Sequence, residues 1–177
     1  DRRAAEFLPA SGVDALTHAI EGYITKGAWE LSDMFHIKAI EIIAKHLRGA
    51  VANTPEGREG MALGSLYAAI SLANSGTNAV HALAYPLQGL NRITHGVANS
   101  LLLPYVMEFN LLGDLERFAH VAELMGQPIA HLSLRDAAGT CARLCRQLAE
   151  DVGIPKRMRE VGIQETQLDD LVEGAWA

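Results

Sequence analysis

The sequence predicts an all-α fold, a multi-helix bundle, and three features of the chain point to it. Apolar residues recur at intervals of three and four over most long segments, which is the spacing of one buried helix face. Residues that favour the beginning of a helix stand at the start of several of these segments. No segment alternates apolar and polar residues in the way that a half-buried β-strand does.

The first two predicted helices cover 11–24 and 31–47. In the first, Ser11 and Asp14 form an S-x-x-D pattern that predicts a capped helix start, and apolar residues follow at helical spacing. In the second, apolar residues occupy more than one face, which predicts deep burial. Gly49 follows the second segment and is interpreted as its stop signal.

A third helix is predicted over 55–73. Thr54 can cap it, and Pro55 then occupies the first helical position, where a missing N–H is tolerated. Gly57 and Gly76 are interpreted as linker and helix-break glycines, because neither joins a strand to a helix as a phosphate-binding glycine does.

The rest of the chain is also predicted to be helical, with short connecting loops. A proline, Pro104, predicts a kink in one of these helices. Ser133 predicts a capped start for another, because an acid follows three residues later. A charged stretch near the end is expected to lie on the surface. The predicted helices cover 79–87, 97–109, 114–125, 133–152 and 167–175, and the charged stretch covers 156–170.

Composition and charge exclude several classes of protein. With 49% hydrophobic and 20% charged residues, the 177-residue chain lies outside the disordered regime. A net charge of -6 leaves no basic face for nucleic acid, and no apolar stretch reaches the roughly 20 residues of a membrane span. We therefore expect neither nucleic acid nor a membrane as a partner. A cytoplasmic location is expected as well, since the first residues lack a signal sequence. Cys141 and Cys145 suit a reduced pair in the core.

Four residues in the first hundred could share a metal ion. Asp14 and His18 are four apart on a predicted helix, so the carboxylate and the imidazole lie on one face. His81 and His95 add two imidazoles. Such a set suits Fe(II) or Zn(II) and leaves room for a substrate oxygen. On spacing alone, a shared metal site and four unrelated core or surface residues both stay open.

Two segments around these residues resemble the signature segments of the iron-containing alcohol dehydrogenase family. They are SGVDALTHAIEGYIT and AVHALAYPLQGLNRITHGVANSLLLPYVMEFN. The first is especially similar to the lactaldehyde reductase branch, where a GxDALTHAIEGYIT pattern is usual. The resemblance spans nearly the whole chain. It implies that the family's metal ligands fall on Asp14, His18, His81 and His95.

Three other positions depart from the family pattern. Tyr85 stands where the family has a histidine near the nicotinamide and the substrate, so the resemblance implies a catalytic position there. A tyrosine hydroxyl ionises only near pH 10, so it will not shuttle a proton near neutral pH. Gln88 stands where a glycine is common. Leu72 occupies a place where the lactaldehyde reductase branch has a bulkier aromatic facing the substrate, which implies a wider pocket.

The resemblance also implies a longer parent protein. The family's nucleotide-binding α/β domain, with a GGGS-type turn, lies N-terminal to the helical domain, and no such turn occurs here. We therefore expect 1–177 to be one helical metal-binding domain, a fragment without the nucleotide-binding domain and the extreme C-terminus. The implied reaction is hydride transfer between a primary or secondary alcohol, or the aldehyde, and NAD or NADP. Fe(II) is the expected metal and Zn(II) the alternative.

Other interpretations stay open beside this one. One alternative is a helical metal hydrolase, which would need a second acidic or histidine cluster. The other is an inactive helical scaffold or interaction domain, which would need no metal cluster. A surface meant to face the absent domain predicts self-association into a homo-oligomer. Glu21 either orients a ligand imidazole or belongs to a solvated helix face. The remaining histidines are expected to be surface or structural groups: His36, His46, His120 and His131.

Overall fold

The computed structural model describes residues 2–91 and 93–175, with side chains described for 7–89 and 93–175. This part of the chain forms α-helices and short 3₁₀ turns without a strand, which confirms the predicted all-α class. The α-helices are α1 (Arg2–Ile24), α2 (Glu30–Val51), α3 (Pro55–Ser75), α4 (Ala79–Asn91), α5 (His95–Asn110), α6 (Leu115–Leu124), α7 (Leu134–Asp151) and α8 (Leu168–Gly174).

The first helix is the centre of the bundle. It packs against α2, α3 and α5, and its residues Leu16 and Ile20 are fully buried in the hydrophobic core. α2 and α3 pack closely on each other, as do α6 and α7, and α7 also packs against α5. α4 packs chiefly against α5 and α8. This arrangement places α1, α4 and α5, which carry the candidate ligands, next to one another.

The start of α1 differs from the prediction. The helix begins before Ser11, whose Oγ donates to the backbone carbonyls of Phe7 and Leu8 inside the helix. The predicted cap at Ser11 is therefore wrong, although Asp14 and the residues after it are helical as expected. Apolar residues upstream, including the buried Ala10, pack into the core and stabilise the additional turns.

Glycines at the connection of α2 and α3 serve close packing. Gly49 lies inside α2, and Gly57 lies in the first turn of α3, so the interpretations as stop signal and linker are wrong. A Cβ atom at Gly57 would lie only 2.2 Å from the backbone nitrogen of Ala50. A glycine is needed there because the two helix ends approach closely. The Thr54 cap is confirmed, since its Oγ1 accepts from the Gly57 N–H at 3.1 Å.

Other predicted helix ends are confirmed by local hydrogen bonds and backbone angles. α3 ends at Gly76, which has a φ of +89° and is the expected helix break. Asp114 caps α6 by accepting from Arg117, and Ser133 caps α7 by accepting from Asp136. The short side chains at these positions therefore satisfy backbone donors that the helices leave free.

Three prolines lie inside helices: Pro9 in α1, Pro86 in α4 and Pro104 in α5. Pro104 is inside α5, as predicted. α4 continues through Pro86 to Asn91, beyond the predicted end near residue 87. A proline costs the helix one hydrogen bond, but the buried residues Ala84 and Leu87 on either side of Pro86 bind this helix into the core. Burial of apolar area outweighs the local cost.

The remaining sequence expectations concern the cysteines and the surface. Cys141 and Cys145 are buried free thiols on α7, as predicted. The stretch 156–170 is largely exposed, apart from the buried side chain of Ile163. Among the described helices, none combines the length and the hydropathy needed to cross a membrane.

Candidate metal centre

Three helices bring the four predicted ligands together. Asp14 and His18 project from one face of α1, with 3.9 Å between Asp14 Oδ1 and His18 Nε2. His81 lies in the first turn of α4 and is buried, and His95 is the first residue of α5 and is half-buried. The short loop between α4 and α5 therefore positions two imidazoles that are 14 residues apart in the sequence.

The donor atoms of these residues converge on one point. One ligand atom from each of Asp14, His18, His81 and His95 lies within 4.8 Å of the others; we call these four residues the Asp14 cluster. The rings of His18 and His81 stack with their centroids 4.8 Å apart. Such convergence of a carboxylate and three imidazoles fits a divalent cation with nitrogen and oxygen ligands.

One amide lies against the Asp14 cluster, and sequence reasoning did not identify it. Asn99 Nδ2 lies 2.6 Å from Asp14 Oδ1, 3.1 Å from His81 Nε2 and 3.0 Å from His95 Nε2. When both ring nitrogens are unprotonated, the amide nitrogen has only two hydrogens for these three acceptors. Asn99 is fully buried, and its Oδ1 has no hydrogen-bond partner among the described residues. The site thus has more lone pairs than donors, which is the condition that a bound cation satisfies.

Burial also prepares His18 as a ligand. Desolvation lowers the pKa of His18 below its ordinary value, and the neighbouring imidazoles of His81 and His95 lower it further. The carboxylate of Asp14 acts in the opposite direction. The neutral imidazole, which keeps a lone pair for a metal, is therefore favoured at His18 near neutral pH.

Glu21 lies behind His81 and is fully buried. Its Oε2 is 2.5 Å from His81 Nδ1, and its Oε1 accepts from the backbone N–H of Val80 at 2.6 Å. The alternative of a solvated helix face is therefore wrong for this residue. The sequence signal was an acid one helical turn after His18, but the partner imidazole lies 60 residues further along the chain.

Two of the departures from the family pattern lie beside His95. The amide of Gln88 is 3.0 Å from His95 Nδ1. The same Gln88 nitrogen, Nε2, donates to the backbone carbonyl of Ala84 at 3.3 Å. The ring of Tyr85 has its centroid 6.4 Å from that of His95, and its side chain is 66% exposed. Both side chains thus stand at the rim of the Asp14 cluster.

Open space borders the Asp14 cluster on two sides. A cavity of about 490 Å³ is lined by Asp14 and His18 together with residues of α3 such as Ser65. A second cavity of about 400 Å³ is lined by Asp14, His95 and Phe7. Leu72 is half-buried and lines neither cavity, so its place in a substrate pocket stays a prediction.

The other histidines lie outside the Asp14 cluster. His36 is fully buried and bonds through Nε2 to Ser75 Oγ at 2.9 Å. His120 Nδ1 bonds to the Tyr23 hydroxyl at 2.7 Å, and His131 is exposed. Among the described side chains, those of residues 7–89 and 93–175, no second group of histidine, cysteine or acidic residues converges in this way. A hydrolase with two such clusters therefore has no support in that part of the chain.

Comparison with known proteins gives a consistent result. The family model for the Fe-containing alcohol dehydrogenase family, C-terminal, matches residues 9–177. Lactaldehyde reductase of Escherichia coli K12 is 46% identical over 166 residues, which cover 94% of this chain and 44% of that protein. 1,3-Propanediol dehydrogenase of Klebsiella pneumoniae is 42% identical over 175 residues, which cover 98% of this chain and 45% of that protein. The chain spans less than half the length of these curated relatives.

Solved structures show the same fold. The crystal structure of a 1,3-propanediol oxidoreductase matches with a TM-score of 0.94 and 43% identity, over 97% of this chain and 45% of the other. An alcohol dehydrogenase from Oenococcus oeni matches with a TM-score of 0.94 and 37% identity, over 97% and 45% of the respective chains. The bundle and the family resemblance that the sequence predicted are both confirmed.

Proposed function

The chain belongs to the iron-containing alcohol dehydrogenase family, and from this premise we propose that it supplies the metal-binding part of an NAD(P)-dependent alcohol dehydrogenase or aldehyde reductase. The observation that carries the proposal is the convergence of one ligand atom from each residue of the Asp14 cluster to within 4.8 Å. We propose these four residues as the metal ligands. The nucleotide-binding domain is proposed to lie outside 1–177.

Each side chain has a distinct task in this proposal. When bound, a divalent cation supplies Lewis acidity to the oxygen of an alcohol or aldehyde whose hydride a nicotinamide accepts or donates. The carboxylate of Asp14 offsets part of the cation's charge, and the imidazoles of the Asp14 cluster supply neutral lone pairs. Asn99 holds Asp14 Oδ1 in place by donating from Nδ2. Burial of His81 keeps water away from one side of the site.

The proposed identity of the metal draws on the family and on ligand chemistry. We propose Fe(II) as the working metal because the matching family is defined as iron-containing. Carboxylate and imidazole ligands do not enforce that choice, since Zn(II) generally binds more tightly than Fe(II) to such sites at equal availability. Zn(II) is accordingly the proposed competitor.

The proposed substrate is a small alcohol or the corresponding aldehyde. Relatives at 46% and 42% identity carry the names lactaldehyde reductase and 1,3-propanediol dehydrogenase, which refer to three-carbon compounds. Tyr85, exposed beside His95, is proposed to contact the substrate or the nicotinamide in place of the family's histidine. Leu72 is proposed to widen the substrate pocket.

Metal stoichiometry tests the proposed ligand set. The purified protein is loaded anaerobically with Fe(II) or Zn(II) in separate experiments, beside a His81→Ala/His95→Ala double variant. We expect about one metal ion per chain in the parent and none in the variant, because two of four ligands are gone. Equal metal content in both proteins contradicts the ligand assignment.

Activity tests the reaction class separately. The protein that contains both this domain and its nucleotide-binding domain is assayed for NAD(P)H formation with small diols and for NAD(P)H consumption with aldehydes. We expect activity that depends on added metal and disappears in the double variant. A protein that binds one metal ion per chain without any such turnover would contradict the dehydrogenase proposal and leave the metal site intact.

A further inference from the structure

Glu21 is a buried carboxylate next to the Asp14 cluster but outside the proposed ligand set. Its side chain is 0% exposed, and three nitrogen atoms surround its two oxygens. These are His81 Nδ1 at 2.5 Å, Val80 N at 2.6 Å and Asn78 N at 3.2 Å. The two backbone groups can only donate, so the carboxylate acts as their acceptor.

We infer that Glu21 is the positioning residue that holds His81 in the tautomer and orientation needed for metal binding. The inference rests on the proposed function and deepens it. When His81 Nδ1 carries the hydrogen and donates it to Glu21, the ring's lone pair lies on Nε2. Nε2 is the His81 atom that faces the centre of the Asp14 cluster, where it lies 3.1 Å from Asn99 Nδ2. Metal-bound histidines commonly use the second ring nitrogen in this way.

The same carboxylate also places α4 relative to α1. α4 packs chiefly against α5 and α8, so packing alone does little to fix its first turn against α1. Glu21 bonds to the backbone of Asn78 and Val80, on either side of the first residue of α4. A negative charge at a helix N-terminus is favourable as well. One side chain therefore holds the helix that carries His81 next to the helix that carries Asp14 and His18.

A Glu21→Gln variant tests the inference through metal affinity. The amide has almost the same shape as the carboxylate, but its NH₂ group must face one of the donors that Glu21 accepts from. Zn(II) affinity is measured by competition with a chromophoric chelator, and Co(II) is used as a spectroscopic probe. We expect Zn(II) affinity to fall about 10- to 100-fold and the visible absorption bands of bound Co(II) to shift.

Asp33→Asn is the matched control, since it makes the same chemical change at an ion pair with Arg117 outside the Asp14 cluster. A purely structural role for Glu21 lowers the free energy of unfolding of the metal-free protein, as Asp33→Asn does, without moving the Co(II) bands. Unchanged Co(II) bands and a Zn(II) affinity within twofold of the parent in Glu21→Gln would overturn the inference.

A second variant covers the case in which Glu21→Gln does not fold. Glu21→Asp keeps the charge but withdraws the carboxylate by one methylene group, so we expect a smaller loss of Zn(II) affinity in the same direction. An affinity equal to that of the parent would count against the inference. Failure of the parent itself to bind Zn(II) or Co(II) would instead reject the proposed metal site, which keeps the two claims separable.

Discussion

Two clusters of polar side chains border α1, and their hydrogen bonds differ in kind. The Arg117 cluster consists of Tyr23, Asp33, Arg117 and His120. Arg117 donates to both carboxylate oxygens of Asp33, at 3.1 and 2.8 Å, and to the Tyr23 carbonyl at 2.6 Å. The Tyr23 hydroxyl bonds to His120 at 2.7 Å. In the Asp14 cluster, three acceptor atoms share a single amide nitrogen.

The difference separates a structural cluster from a binding site. In the Arg117 cluster a positive guanidinium faces a negative carboxylate in a bidentate arrangement, so charge and hydrogen bonds are matched within the protein. In the Asp14 cluster the carboxylate and the ring nitrogens face a neutral amide nitrogen, and a bound cation supplies the positive charge that this amide lacks. Residue type does not distinguish the two clusters, because each contains an aspartate and at least one histidine; the balance of donors and acceptors does.

The largest effect is expected from Asp14→Ala. This variant removes the one negatively charged residue of the Asp14 cluster, so we expect metal affinity to fall by more than about 100-fold. A loss of about 100-fold is the upper range for removing a residue that only hydrogen-bonds to a ligand. Equilibrium dialysis against Zn(II) gives the affinity. Asp33→Asn, which removes a negative charge from the Arg117 cluster, should leave it unchanged. A comparable loss in both variants would break the comparison.

A pH-dependent effect on stability is expected from His36, a residue of α2 whose ring lies beside Gly22 of α1 and Ser75 of α3. Burial lowers the pKa of His36 to about 4 from an ordinary value of 6.5; Asp33 raises this pKa slightly and Arg117 lowers it. Because the pKa in the folded state is the lower one, the fold favours the neutral ring. That contribution is complete above pH 6.5 and is lost as the pH falls from 6.5 towards 4, by about 3 kcal/mol in all.

The measurement for His36 is urea unfolding of the metal-free protein between pH 7 and 4. The parent should lose stability over this interval more steeply than a His36→Gln variant, whose side chain does not titrate. Histidines of the Asp14 cluster are present in both proteins, so the difference between the two profiles isolates His36. Parallel profiles would show that His36 stays in contact with water in the folded protein.

A smaller effect is expected from Asp33→Asn on stability. The substitution replaces the bidentate carboxylate partner of Arg117 by a neutral amide and leaves the longer ion pair with Asp114 at 3.7 Å, which should lower the free energy of unfolding by about 1 to 3 kcal/mol. Chemical denaturation at pH 7 measures this change. A loss of bound metal on substitution at this remote position would instead indicate that the two clusters are linked.

Local patterns in the sequence predict most of the helices and fail at particular points. The caps at Thr54 and Ser133 were predictable because a side chain and a backbone N–H three residues later form the bond. The role of Gly57 was not predictable, because it depends on the distance to Ala50 on another helix. The helical turns of α1 just before Ser11 were missed because burial of residues such as Ala10, and not a cap, stabilises them.

In the candidate site, too, local sequence patterns indicate some residues and only the packing of the helices reveals others. The i, i+4 spacing of Asp14 and His18 already places both on one face of a helix, and the family resemblance indicated His81 and His95. Asn99 gave no signal, since its contact with Asp14 spans 85 residues and one buried asparagine on an apolar helix is not distinctive in a sequence. Long-range hydrogen bonds become visible only when the packing of α1 and α5 is known.

X-ray absorption spectroscopy of the Zn(II)-loaded protein tests most directly whether the Asp14 cluster holds one cation. We predict nitrogen and oxygen ligands at about 2.0 to 2.2 Å, with the outer-shell scattering of three imidazoles. A sulfur ligand at about 2.3 Å would place the metal at Cys141 or Cys145 instead. That result, or scattering from a single imidazole, would contradict the account.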